Sequence, residues 1–140
     1  MKQENESVDH LIMLSALFAG WDVFFENLFN SATDGSDFMR QFKRRTVEDY
    51  AFYSGRIEKG YEDTNTTLTI KVLDVMFSVI DAIDESLPIL DNCNTKAYVY
   101  KIARAYVSAN SCLLSTQIAV NNLANLFDEG ETFYDNRFEV

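Results

Sequence analysis

The sequence predicts an all-α protein: an antiparallel four-helix bundle with a long C-terminal helix and an acidic, aromatic tail. Three observations predict it. Apolar residues recur at three- and four-residue spacings over stretches of about twenty residues or more. One proline and five glycines in 140 residues leave those stretches uninterrupted. A hydrophobic content of 47%, with 14% aromatics, supplies a core and argues against a disordered chain. A chain this long buries about 68% of the surface its unfolded form exposes, so one domain over residues 1–140 needs no staple.

Helix 1 is placed at about 7–30, with Ser7 as its N-cap. Fourteen of the nineteen residues from Leu11 to Phe29 are apolar, and Ser15, Asp22 and Glu26 fall in one narrow stripe. A helix apolar almost all round is expected to sit centrally in the bundle or to form part of a subunit interface. The turn SATDGSD follows, with Ser36 or Asp37 capping helix 2 at about 37–59. Phe38, Met39, Phe42, Thr46, Tyr50, Tyr53 and Ile57 share one face of that helix, and Gly55 or Gly60 can end it.

Helix 3 is placed at about 67–87. Lys71, Asp74, Ser78, Asp81 and Glu85 form its polar stripe, opposite Val72, Leu73, Met76, Val79, Ile80 and Ile83. The opening TTLTIKV alternates like a strand, but the helical phase through residue 87 outweighs it. Residues 88–94 form a connection, and Asn94 or Thr95 caps helix 4 at about 95–127. Ile102, Tyr106, Ala109, Leu113, Thr116, Val120, Leu123 and Phe127 keep a 4-3-4-3 spacing across SANS, which reads as one continuous helix whose core-facing seam they form. Cys112 is assigned to the same buried side. A helix that long should overhang its neighbours by about 15 Å at the standard rise.

Charge narrows the function. Twenty-two acids face twelve bases, a formal net charge of −10. Such a field repels phosphate backbones and attracts basic proteins, so no direct nucleic-acid binding is expected. The cluster Arg40, Lys43, Arg44 and Arg45 does not change this. Arg44 meets Glu48 and Arg45 meets Asp49 at i, i+4, as on a solvated, salt-laced face, although the patch could also receive the acidic tail. Two cysteines, Cys93 and Cys112, make neither a zinc site nor a CxxC pair and suit a reducing cytoplasm. The start MKQENESVDH lacks the positive charge of a signal peptide. The uncharged run Leu11–Trp21 is too short for a bilayer, so a cytoplasmic protein without a membrane partner is expected.

No chemistry-bearing motif emerges, so neither an enzyme nor a cofactor or metal is expected. The only histidine, His10, pairs with Glu6 at i, i+4, whereas a di-iron bundle needs paired Glu-x-x-His elements. Asp63, Asn65, Thr67 and Asp74 mimic calcium-loop spacing, but Leu68 stands where the turn demands glycine. No nucleophile sits on an elbow or glycine loop. A small-ligand pocket lined by Trp21 is a third option, behind two protein-binding readings.

The first is a non-catalytic acidic protein that binds and inhibits a basic-surfaced protein, as an inhibitor or immunity-type antagonist does. Asp74, Asp81, Asp84 and Glu85 on helix 3 supply its charge. Val107, Leu114 and Ile118 form a second strip on helix 4 among uncharged polar residues, which resembles a partner surface. The tail 128–140 adds Asp128, Glu129, Glu131, Asp135 and Glu139 as steering charges, with Phe133, Tyr134 and Phe138 as anchors. The second reading is a dimeric helical adaptor that joins through helix 1 or helix 4 and holds a helix or peptide in an apolar groove.

Overall fold

A computed structural model describes the backbone of residues 2–61, 63–86 and 96–129, and the side chains of 8–61, 63–86 and 96–121. Four helices form an all-α bundle: α1 (Lys2–Ser31), α2 (Gly35–Glu58), α3 (Thr64–Ser86) and α4 (Lys96–Glu129). No strand occurs among the described residues, so the alternating opening of α3 is helical. The connection 88–94, Cys93 and the caps expected at Asn94 or Thr95 lie outside the described residues.

Two turns set the helix boundaries. The cap of α2 is Asp34, not the expected Ser36 or Asp37. The amide of Asp37 donates to the Asp34 carboxylate at 2.8 Å, and the amide of Thr33 donates back to the Asp37 carboxylate at 3.0 Å. The bond from Thr33, with Arg40 and Gln41 beside the carboxylate, holds the Asp37 pKa down to about 2. At the other end Gly60 takes φ +92°, a left-handed conformation that costs a side-chain-bearing residue strain. It lets Gly60 N–H reach Ile57 O at 2.9 Å and Tyr61 N–H reach Arg56 O at 2.9 Å, closing the helix on its own last carbonyls. Asp63 then starts α3 by accepting the Thr66 amide at 2.7 Å. This is three residues earlier than expected, and it gives Asp63 a capping role in place of a calcium-loop one.

The core is one cluster fed by all four helices. From α1 come Leu14, Phe18, Trp21, Phe25 and Leu28, from α2 Phe38, Met39 and Phe42, and from α3 Leu73, Met76, Val79 and Ile83. Rings dominate one end: Phe25 meets Phe42 edge-on at 4.9 Å and Phe38 at 6.0 Å, and Trp21 meets Phe42 at 5.9 Å. Thr46 enters this core without penalty because its hydroxyl donates to Phe42 O at 2.8 Å.

Three expectations need correction. First, of the two readings of α1, burial at the centre of the bundle does not hold. Its inner face is buried, but Ile12 is 62% exposed and Val23 58%. The apolar stretch is also longer than the run Leu11–Trp21 read as too short for a bilayer: Val8–Ser31 has, by length and composition, what a membrane span needs, with 22% of its most apolar window buried. Second, the faces of α4 are interchanged. Val99, Ala103, Val107, Leu114 and Ile118 are buried; of the expected seam, Ile102 does pack half-buried against the core, but Tyr106, Ala109, Leu113, Thr116 and Val120 face solvent. Cys112 is exposed as well. Third, α1 reaches back to Lys2 and is 30 residues long against 34 for α4. The expected overhang shrinks accordingly.

Candidate partner interface

The outer face of α3 carries the acidic row. Asp74, Asp81 and Glu85 are exposed and stand seven and four residues apart, so they share one line about 16 Å long at the helical rise. Among the described residues, none of the three has an ion-pair partner. Asp84 differs. It sits one step round the helix and binds Lys43 Nζ of α2 at 2.8 Å. That pair ties α2 to α3 and removes Asp84 from the free row. Asp74 leans into the groove beside α4, and this partial burial raises its pKa with no cation compensating.

The groove runs between α3 and α4. Its larger hollow, about 360 Å³, is lined by Lys71, Asp74, Val75 and Ser78 against Asn110, Leu113, Leu114 and Gln117. A second hollow of about 270 Å³ continues it through Lys71 to Thr64, Thr67, Ile118, Asn121 and His10. Leu114 and Ile118 are its floor. Leu113, 63% exposed, stands on its rim, and Val120 is exposed at 57% one heptad along. The surface strip is thus Tyr106, Leu113 and Val120. Val107, Leu114 and Ile118, expected to meet a partner, pack inward against other helices. The 3.5-residue spacing that marked the outer strip was visible in the sequence, but it was assigned to the core.

Three of the four basic side chains of the patch are engaged within the chain. Arg45 binds Asp49 at 2.8 Å and lies over the rings of Phe24 and Trp21, at 5.1 and 5.7 Å from their centroids. Arg40 pairs with Asp37, and Lys43 with Asp84. The expected Arg44–Glu48 pair does not form among the described residues. The hollow beside Trp21 measures about 200 Å³ and is bordered by Arg45 and Asp49. It is smaller than the 300–1,000 Å³ usual for organic ligands.

No three His, Cys, Asp or Glu side chains among the described residues converge on a metal position. The side chains of Leu123, Phe127, Asp128 and Glu129, and all of Glu131, Phe133, Tyr134, Asp135, Phe138 and Glu139, lie outside the described residues. In comparisons with family models, curated proteins and solved structures, the chain matches none.

Proposed function

We propose that this is a non-catalytic helical protein that binds, and by covering it inhibits, a protein partner with a basic surface. The observation that carries the reading is the row Asp74, Asp81 and Glu85: three carboxylates on one exposed line, without ion pairs among the described residues, on a chain of net charge −10. Unpaired carboxylates exposed on a rigid helix, as Asp81 and Glu85 are, cost little in water and gain energy when a cation arrives. Raised by burial alone, Asp74 is the member of the row that a partner's Lys or Arg would relieve most.

In this reading the helices alternate in direction. Lys96 at the start of α4 donates to Ala32 O just beyond α1 at 3.0 Å, and Lys43 early in α2 meets Asp84 late in α3. The row would then occupy the outer flank of α3 over its second half, on the side from which a basic partner is proposed to approach.

The test is kinetic. With a partner isolated on the full chain, association should be fast at low salt and slow as ionic strength rises. The triple variant Asp74→Lys, Asp81→Lys, Glu85→Lys should cut the on-rate by about 10- to 1,000-fold, the range of electrostatic steering. An on-rate indifferent to both salt and charge reversal would end the proposal. The adaptor reading is supported by a different observation, the apolar rim of Leu113 and Val120 beside the groove. It predicts salt-insensitive binding of an apolar helix or peptide, or a homodimer in sedimentation.

A further inference from the structure

α4 turns an uncharged heptad outward. Tyr106, Ala109, Leu113, Thr116 and Val120 are exposed at 3-4-3-4 spacing, and half-buried Ile102 extends the line by one step. We propose that this strip is the seam of a homodimer, in which α4 of a second copy packs against it antiparallel. The inference goes beyond the acidic row and rests on other residues.

The first argument is period. A 3.5-residue repeat keeps one face of a helix against one partner helix, and a strip facing only water gains nothing from it. In heptad terms Tyr106, Leu113 and Val120 are a positions, and Ile102, Ala109 and Thr116 are d positions. Antiparallel pairing sets each a against a d of the other copy: Tyr106 on Thr116, Leu113 on Ala109 and Val120 on Ile102. Two of these layers join a large side chain to a small one, which lets them interdigitate. Parallel pairing would stack Tyr106 on Tyr106 and Ala109 on Ala109, in layers of unequal width. The polar groups of the strip are already served. The Thr116 hydroxyl donates to Cys112 O at 2.9 Å, and the Asn110 amide donates to Tyr106 O at 2.8 Å. A dry seam therefore orphans neither donor.

The second argument is charge. Ala105, Cys112 and Ala119 flank the seam on one edge, and Asn110 and Gln117 on the other. Two chains of net charge −10 can meet there with no charged residue in the contact. Asp74 borders the strip in the groove, but Lys71 lines the same hollow and offsets it. The rival surface is the outer face of α1, where Ile12, Ala16, Ala19 and Val23 are exposed at 4-3-4 spacing. Asp9 and Glu26 continue that line, and Asp22 flanks it. An antiparallel copy on α1 would set Asp9 against Glu26, and like charges so placed oppose the contact.

The third argument is area. Tyr106, Leu113 and Val120 are 36%, 63% and 57% exposed. With the small residues between them they offer about 500 Å² per copy, so the pair buries about 1,000 Å², the lower bound of a specific interface. The dimer is therefore weak. It also tightens as salt rises, because salt screens the repulsion between two acidic chains. A basic partner on the acidic row would show the opposite salt dependence, so the two readings fail separately.

The experiment is sedimentation of the full chain. At about 100 μM and about 0.5 M salt a monomer–dimer equilibrium is expected, shifting toward monomer at low salt. Leu113→Lys, at an exposed site that folding does not need, should weaken it at least about tenfold, while Ile12→Lys should leave it unchanged. A chain that stays monomeric at about 1 mM, or a dimer lost with Ile12→Lys and kept with Leu113→Lys, would overturn the proposal. The register has its own test. In this pairing Cys112 of one copy faces Cys112 of the other across the twofold axis, whereas in a parallel pair the two thiols lie on opposite edges. In Cys93→Ser, oxidation with copper–phenanthroline should therefore link two chains through Cys112. The control Cys93→Ser, Cys112→Ser, Val23→Cys should stay unlinked. A Leu113-dependent dimer whose Cys112 thiols fail to join would overturn the antiparallel seam.

Discussion

α3 and α4 are both amphipathic, yet only one of them is easy to read. On α3 the polar stripe Lys71, Asp74, Ser78, Asp81 and Glu85 is exposed, and all six residues expected opposite it are buried. On α4 the stronger apolar stripe is outside and the weaker one inside. The difference is charge. Three carboxylates and a lysine fix the wet side of α3, because an unpaired charge is costly to bury. From Ala105 to Phe127, α4 carries no charged residue at all. Either face can then turn inward, and the choice falls to packing against α1 and α3.

The sharpest test compares deletions on the three faces. Leu73→Ala in α3 empties a fully buried site and should cost about 2–5 kcal/mol. Ile118→Ala in α4 should fall in the same range, nearer its lower end because the residue borders the open hollow. Leu113→Ala should cost well under about 1 kcal/mol, as exposed positions do. Chemical denaturation measures all three. If Leu113 proved costlier than Ile118, the assignment of faces would be reversed and the groove argument would go with it.

The periods explain why α4 misleads. Its buried positions Val99, Ala103, Val107, Leu114 and Ile118, with half-buried Asn110 between, step 4-4-3-4-4, close to an eleven-residue repeat of about 3.67 per turn. The outer strip from Tyr106 to Val120 steps 3-4-3-4, the heptad that usually marks a seam. Ala103 and Asn110 blur the true core line, while Tyr106 and Leu113 sharpen the false one. By contrast the four helices, the unbroken α4 and the acidic row were all legible, since each rests on spacing or charge along one helix. The groove was not legible. It depends on which flanks of two distant helices meet, and no local pattern encodes that.

Two carboxylates on α3 respond to acid in opposite directions. Asp63 at its start is held below the usual 3.8, first by its hydrogen bonds to Thr66 and then by Arg56. Its folded pKa is lowered, so its contribution is complete above 3.8 and disappears as pH falls through the lower folded value. Asp74 is raised by burial, so its cost is present at neutral pH and is relieved as pH falls through that raised value. Asp63→Ala should therefore fray the first turn, seen as faster amide exchange at Thr66, and flatten the acid limb of stability. Asp74→Asn should hold or slightly raise neutral-pH stability. A stabilising Asp63→Ala would break the capping account.

The smallest effect concerns the bridge between Lys43 of α2 and Asp84 of α3. Lys43 and Asp84 are 45% and 40% exposed, so solvent screens the pair and side-chain entropy opposes it. A double-mutant cycle with Lys43→Ala and Asp84→Ala should give a coupling of about 0.2–1 kcal/mol, shrinking in high salt. The value matters less than its consequence for the row. Asp84 is neutralised within the chain, so Asp84→Asn should hardly change the affinity for a basic partner, whereas Asp81→Asn, one turn away and unpaired, should weaken it. Equal losses from the two variants would show that total charge, and not the free line Asp74–Asp81–Glu85, attracts the partner.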